Sequence, residues 1–183
     1  MNFLLMELTH LRYWMPLVIE GNKRGIKSTF YVGKSGKYNC PSKKEPLLQQ
    51  LAEEHNINML PMNEISNAKG LLFSSEKTGI KLVEKAKDTK KIVCTYQTDF
   101  IESYKNYVDV VDHVLMPSQF CADYYNLSSK KNLFLGIPKY DTKIEKSTVH
   151  KKYSLPENQK YVTLISPKVR DQSLMSWNTS MMY

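Results

Sequence analysis

Side chains able to move a proton or hold an anion gather behind short apolar runs in this chain. Glu7, Thr9, His10 and Arg12 follow MNFLLM; Tyr96, Gln97, Thr98 and Asp99 close the run that begins KIVC; Pro117 and Ser118 follow VDHVLM; Pro138, Lys139 and Asp141 follow NLFLG. A carboxylate placed near a histidine and an arginine can deprotonate a hydroxyl while an anionic group is held beside it. Asp99 and His10 are the candidates for the proton transfer, and Arg12 for the anion. A plainer reading has Asp99 capping a helix and His10 lying on one.

Other chemistries are poorly served. GNKRGIKS at 21–28 precedes a strand-like run instead of following one, and the GKS at 33–35 has Ser28 where the leading glycine of a phosphate loop belongs. Neither would converge its amides at a helix N-terminus. There is no GxGxxG, no His or Cys pair with metal-ligand spacing, and no nucleophile elbow. No metal and no cofactor is expected. Basic and aromatic residues alternate at Tyr31, Lys34, Lys37 and Tyr38, but no nucleic-acid-reading motif accompanies them, so nucleic acid is not expected as a partner.

The elements that must position these residues alternate. Apolar runs of strand length at 1–6, 26–33, 57–60, 70–75, 91–97, 111–117 and 132–136 are separated by stretches with helical spacing at 8–25, 43–55, 76–87, from Asp99, and 119–127. Ser42 and Glu45 have capping-box spacing, as do Asp99 and Glu102, and Ser118 is placed to cap the helix after it. Pro16 interrupts the first helix and should kink it. Such alternation predicts an α/β fold: a Rossmann-like parallel sheet with helices on both faces. Ligands of such sheets lie beyond the carboxyl ends of the strands, where the residues named above fall.

Residues 1–141 form this expected domain, and 142–160 read as a polar linker. A new strand starts at Tyr161, and residues 161–183 read as the start of a second, truncated domain. A hydrophobic content of 42% and a charged content of 24% describe a soluble globular chain of 183 residues. Three dispersed cysteines, no signal-like N-terminus and no run of about 18 apolar residues point to a cytoplasmic protein. The formal charge of +8 and seven basic residues between Gly21 and Lys44, with no acid among them, favour an anionic partner or peripheral membrane contact; a solvated lysine-rich surface is the simpler account.

The stretch CTYQTDFIESYKNYVDVVDHVLMPSQFCADYYNLSSKKNLFLGIPKYD carries a family resemblance, in the D-x-x-x-x-P-S run from Asp112 to Ser118 and the G-x-P-x-x-D exit from Gly136 to Asp141. It resembles the N-terminal half of GT-B enzymes in the group of CDP-glycerol glycerophosphotransferases, surface-polysaccharide glycosyltransferases and UDP-N-acetylglucosamine 2-epimerases. The resemblance extends in element order over residues 1–171 and in residue detail over 95–141. It implies a transferase half that binds a polyanionic or lipid-linked acceptor, with a nucleotide-activated sugar or CDP-glycerol as donor. Asp99 and His10 would be catalytic; Arg12, Gln97, Thr98, Ser118, Gly136, Pro138 and Lys139 would contact substrate; Lys168 and Arg170 in SPKVRD would meet the donor phosphates. Gly136 would permit close backbone approach at the cleft and Pro138 would stiffen the exit. The segment YQTDF at 96–100 departs from the His-Glu-Ala-Gly type of the epimerases, which leaves epimerase as the alternative. A non-catalytic anion-binding domain is a third reading, and the isolated fragment is expected to be inactive.

Overall fold

The computed structural model describes residues 1–34, 40–75, 78, 80–95, 107–127, 129–138, 145–156 and 159. Seven strands, β1 (Asn2–Leu4), β2 (Thr29–Val32), β3 (Asn58–Pro61), β4 (Gly70–Ser75), β5 (Thr89–Cys94), β6 (His113–Leu115) and β7 (Asn132–Leu133), make one sheet in the order β3-β2-β1-β4-β5-β6-β7. Every pairing is parallel. The chain starts at the centre, winds outward through β2 and β3, returns to β4 beside β1 and then winds the other way. That doubly wound order makes the fold α/β and Rossmann-like.

Parallel sheets are covered on both faces, and the strands show it by alternation. Leu4, Tyr31, Leu72, Val93 and Val114 enter one buried cluster with Met62, Ile65, Leu82, Val83, Ala86 and Ala122. Their strand neighbours Phe3, Phe30, Val32, Phe73, Ile92, Cys94 and Leu115 enter the other, with Leu11, Trp14, Val18 and Leu48. Thus α1 (Leu11–Lys23) and α2 (Pro46–His55) cover one face, while α3 (Ile80–Glu84) and α4 (Gln119–Tyr124) cover the opposite one. Helix α1 continues through Pro16.

Local signals were obeyed where the backbone allowed it. Ser118, extended at φ −163° and ψ 164°, accepts the Cys121 N–H at 3.2 Å and starts α4 as its spacing predicts. Ser118→Ala should cost about 1 kcal/mol, lowering the melting temperature by roughly 2–4 °C in calorimetry. The Ser42–Glu45 capping box does not form. Pro46 occupies the first position of α2, where its missing N–H is harmless, and it holds Glu45 extended, so the helix cannot begin at Lys43. Ser42 Oγ instead accepts the Lys44 N–H at 3.2 Å within a turn. The second capping pair, Asp99 and Glu102, lies outside the described residues.

Strand β7 is shorter than the run 132–136 that predicts it. The ladder ends with the Met116 N–H on the Leu133 carbonyl, because Ser118, the next donor in register, has turned away to head α4. Phe134 and Leu135 consequently emerge exposed. The chain divides into compact units at 1–143 and 144–183. Within the stretch read as a linker, α5 (Lys146–Lys152) forms two turns of helix whose last turn carries Lys151 and Lys152, a favourable placement of positive charge at a helix C-terminus.

Candidate functional site at the carboxyl edge of the sheet

With all strands parallel, the loop after each strand lies along one edge of the sheet. His10 follows β1 there, Ser118 follows β6, and Gly136 and Pro138 follow β7. Adjacent strands sit about 4.8 Å apart, so the strands that lead to His10 and Ser118 lie roughly 14 Å apart along this edge, and those that lead to His10 and Pro138 roughly 19 Å. These residues follow strands that end on one edge and are well separated along it.

The pair His10 and Arg12 separates. His10 ends a 3-10 turn (Leu8–His10), is only 1% exposed, and presents its ring edge-on to Trp14 with centroids 6.1 Å apart. Arg12 points outward, with its guanidinium carbon 4.9 Å from the Tyr13 ring centre. Gly136 has open space around its Cβ direction, so close approach does not explain it; its φ of +78° does, being a left-handed conformation that favours glycine. Pro138 is half-buried. Asp99, Gln97, Thr98, Lys139, Lys168 and Arg170 lie outside the described residues.

A groove of about 440 Å³ opens on this edge between the loop after β1 and the loop after β2. Met6, Glu7, Leu8 and Thr9 form one wall; Cys40, Pro41, Ser42 and Glu45 form the other. The Gly33 N–H donates to the Pro41 carbonyl at 2.7 Å and folds the second loop back. The Cys40 thiol meets Met6 Sδ at 3.8 Å, and Thr9 Oγ1 donates to Glu7 Oε2 at 3.0 Å. Glu7 and Thr9 were legible as strand-end residues; the opposite wall was missed because Ser42 and Glu45 also spell a helix cap. Asking the same strand-end question of β2 would have found it.

Burial pushes the Cys40 thiol above its usual value, so this groove offers a protonated thiol and no thiolate nucleophile. Burial, aided by the charge of Glu64, likewise raises the Tyr31 phenol. Both groups hold their protons more firmly in the fold than in the unfolded chain. The unfolded chain therefore binds fewer protons once pH passes the ordinary values of 9.0 and 10.0, and stability should fall as pH rises through that window. Melting temperatures measured from pH 8 to 11 should drop, and Tyr31→Phe with Cys40→Ala should flatten the drop.

The basic run between Gly21 and Lys44 is not one patch. Lys23 and Arg24 close α1 at the amino edge of the sheet, both paired with Glu20 at 3.5 and 2.8 Å, and Lys27 precedes β2 there. Lys34, Lys43 and Lys44 follow β2 at the carboxyl edge. Lys37 lies outside the described residues. A second depression of about 370 Å³, lined by residues including Asn22, Lys27, Glu54 and His55, lies on the amino edge, away from the strand ends where ligands of such sheets bind.

Among the described residues no three His, Cys, Asp or Glu side chains converge on a metal-sized site, and no helix is long and apolar enough to cross a membrane. Compared with protein-family models, curated proteins and solved structures, the chain matches none.

Proposed function

We propose that this chain is the acceptor-side domain of a GT-B type glycosyl- or glycerophosphotransferase acting on surface-polysaccharide precursors. The observation that carries this reading is the groove at the carboxyl edge between the loops after β1 and β2, one strand from the β1–β4 point where the winding of the doubly wound sheet reverses, with carboxylates and hydroxyls on both of its walls. The D-x-x-x-x-P-S and G-x-P-x-x-D segments support it: one heads α4 through Ser118, the other leaves β7 through the left-handed Gly136.

In this reading Asp99 takes the proton of the acceptor hydroxyl, and Arg12, exposed in the first turn of α1 just after the loop that lines the groove, steers the anionic part of a substrate. His10 acts from its buried place as a positioning residue, packing the loop after β1 onto Trp14. Lys168 and Arg170 meet the donor phosphates, with the donor a nucleotide-activated sugar or CDP-glycerol. The test incubates the complete gene product with CDP-glycerol or UDP-N-acetylglucosamine, with and without a polysaccharide acceptor. Release of CMP or UDP that requires the acceptor and disappears in Asp99→Asn supports the reading. An epimer, or free UDP, formed from UDP-N-acetylglucosamine without acceptor would favour the epimerase reading instead.

A further inference from the structure

We infer that the outward face of α4 is a stacking platform for the sugar rings of a saccharide chain, built by Phe120 and Tyr124. This deepens the transferase reading and rests on it for the choice of a saccharide as ligand.

The two rings stand together in water. Phe120 is 75% exposed and Tyr124 70%, and they lie four positions apart on one helix face. Their planes are near-parallel at 25°, with centroids 6.1 Å apart. Near-parallel rings at that distance are offset, so each keeps a face open. The pair is braced from below. Tyr125 meets the Tyr124 ring edge-on at 5.0 Å and itself packs against the core, Ala122 is fully buried, and Ser118 caps the start of the helix. A ligand meets rings seated on a packed helix, which lowers the ordering cost of binding.

The polar neighbours suit hydroxyls. Gln119 and Asp123 form the next exposed pair on this face, and Gln119 Nε2 donates to Asp123 Oδ1 at 2.7 Å. That bond holds the two side chains side by side, with Gln119 Oε1 and the second Asp123 oxygen as acceptors for sugar hydroxyls. The aromatic faces cover the C–H faces of the rings.

Size and charge select the occupant. Aromatic side chains present about 150–250 Å² each, so two at this exposure offer on the order of 200–400 Å², below the roughly 800 Å² per partner of a stable protein interface. Sites that stack nucleic-acid bases set their aromatics in a cationic groove, and interfacial membrane helices carry lysine and arginine on their polar face. The helix QFCADY has neither cation and puts Asp123 beside the rings. It begins at Ser118 on the carboxyl rim, so a saccharide lying along it leads to the edge where the acceptor is proposed to react.

The test titrates the isotope-labelled 183-residue chain with triacetylchitotriose, a neutral trisaccharide, and follows the amides by NMR. The amides of residues 119–125 should shift. Phe120→Ala and Tyr124→Ala should each weaken binding at least about fivefold, the lower end of the loss when a stacking ring is removed from a base-binding site. Both side chains are exposed, so the melting temperature should stay within about 2 °C of the parent. Phe120→Tyr, which keeps the aromatic face, should retain binding. Leu135→Ala, equally exposed at 75% but off the helix, should leave it unchanged. Shifts that avoid α4, no shifts at all, or an equal loss in Leu135→Ala overturn the inference. So do three results that name another occupant: tighter binding of trithymidylate at α4, partition onto phosphatidylglycerol vesicles that the alanine variants abolish, or self-association in ultracentrifugation that they abolish. The nucleotide-release assay is independent: sugar binding at α4 with a silent assay overturns the transferase and keeps the platform, and the reverse outcome overturns the platform alone.

Discussion

Phe3→Ala should lower the free energy of unfolding by about 3–5 kcal/mol, the usual range for emptying a buried aromatic site. Phe3 is fully buried on β1, the central strand, and its ring meets three others. It stacks on Phe73 at 5.1 Å, stands edge-on to Phe30 at 5.4 Å and tilts against Trp14 at 5.6 Å. These partners come from β4, β2 and α1, so the loss is felt on both sides of β1 and in the helix that covers it. At roughly 2–4 °C per kcal/mol for a domain of this size, the melting temperature should fall by about 6–20 °C. Phe3→Leu, which keeps most of the volume, should cost clearly less. Urea denaturation of both variants checks the claim, and a loss under about 1 kcal/mol for Phe3→Ala would mean that the aromatic cluster does not anchor the sheet. The consequence reaches the groove, because residues 6–9 are the continuation of this strand.

Much of this frame was legible because it rests on short-range patterns. The run GLLFSS at 70–75 is β4 to the residue, and the alternating β-branched and aromatic positions of β2 divide between the two cores as parallel pairing requires. Failures came where a local pattern met a stronger local constraint or a distant partner. Ser42 and Glu45 fit a helix cap until Pro46 claims the first helical position. His10 belongs to a polar residue type, and only the fold brings Trp14 against its ring and buries it. The groove pairs Met6 with Cys40, thirty-four residues apart, and no pattern within a single element encodes that meeting.

Lys131 shows the same lesson in a residue that reads as one more surface charge, and Lys131→Met should cost about 1.5–3 kcal/mol, the range for hydrogen bonds to a charged group. Its ammonium donates to the Val108 and Val111 carbonyls at 2.5 and 2.8 Å, closing the turn that leads into β6. The neighbours of that turn are core residues: Tyr107 is 4% exposed and Val111 2%. Methionine keeps the apolar stem but donates nothing, so two carbonyls that the turn holds inward lose their partner. Lys130, exposed next door, controls for charge, and Lys130→Met should stay within about 0.5 kcal/mol of the parent. Urea unfolding of the two single variants separates the accounts. Equal stabilities would return Lys131 to the solvated surface, whereas a selective loss identifies it as the strut that holds the entry to β6, and β6 in turn carries Ser118 to the rim where the acceptor is proposed to bind.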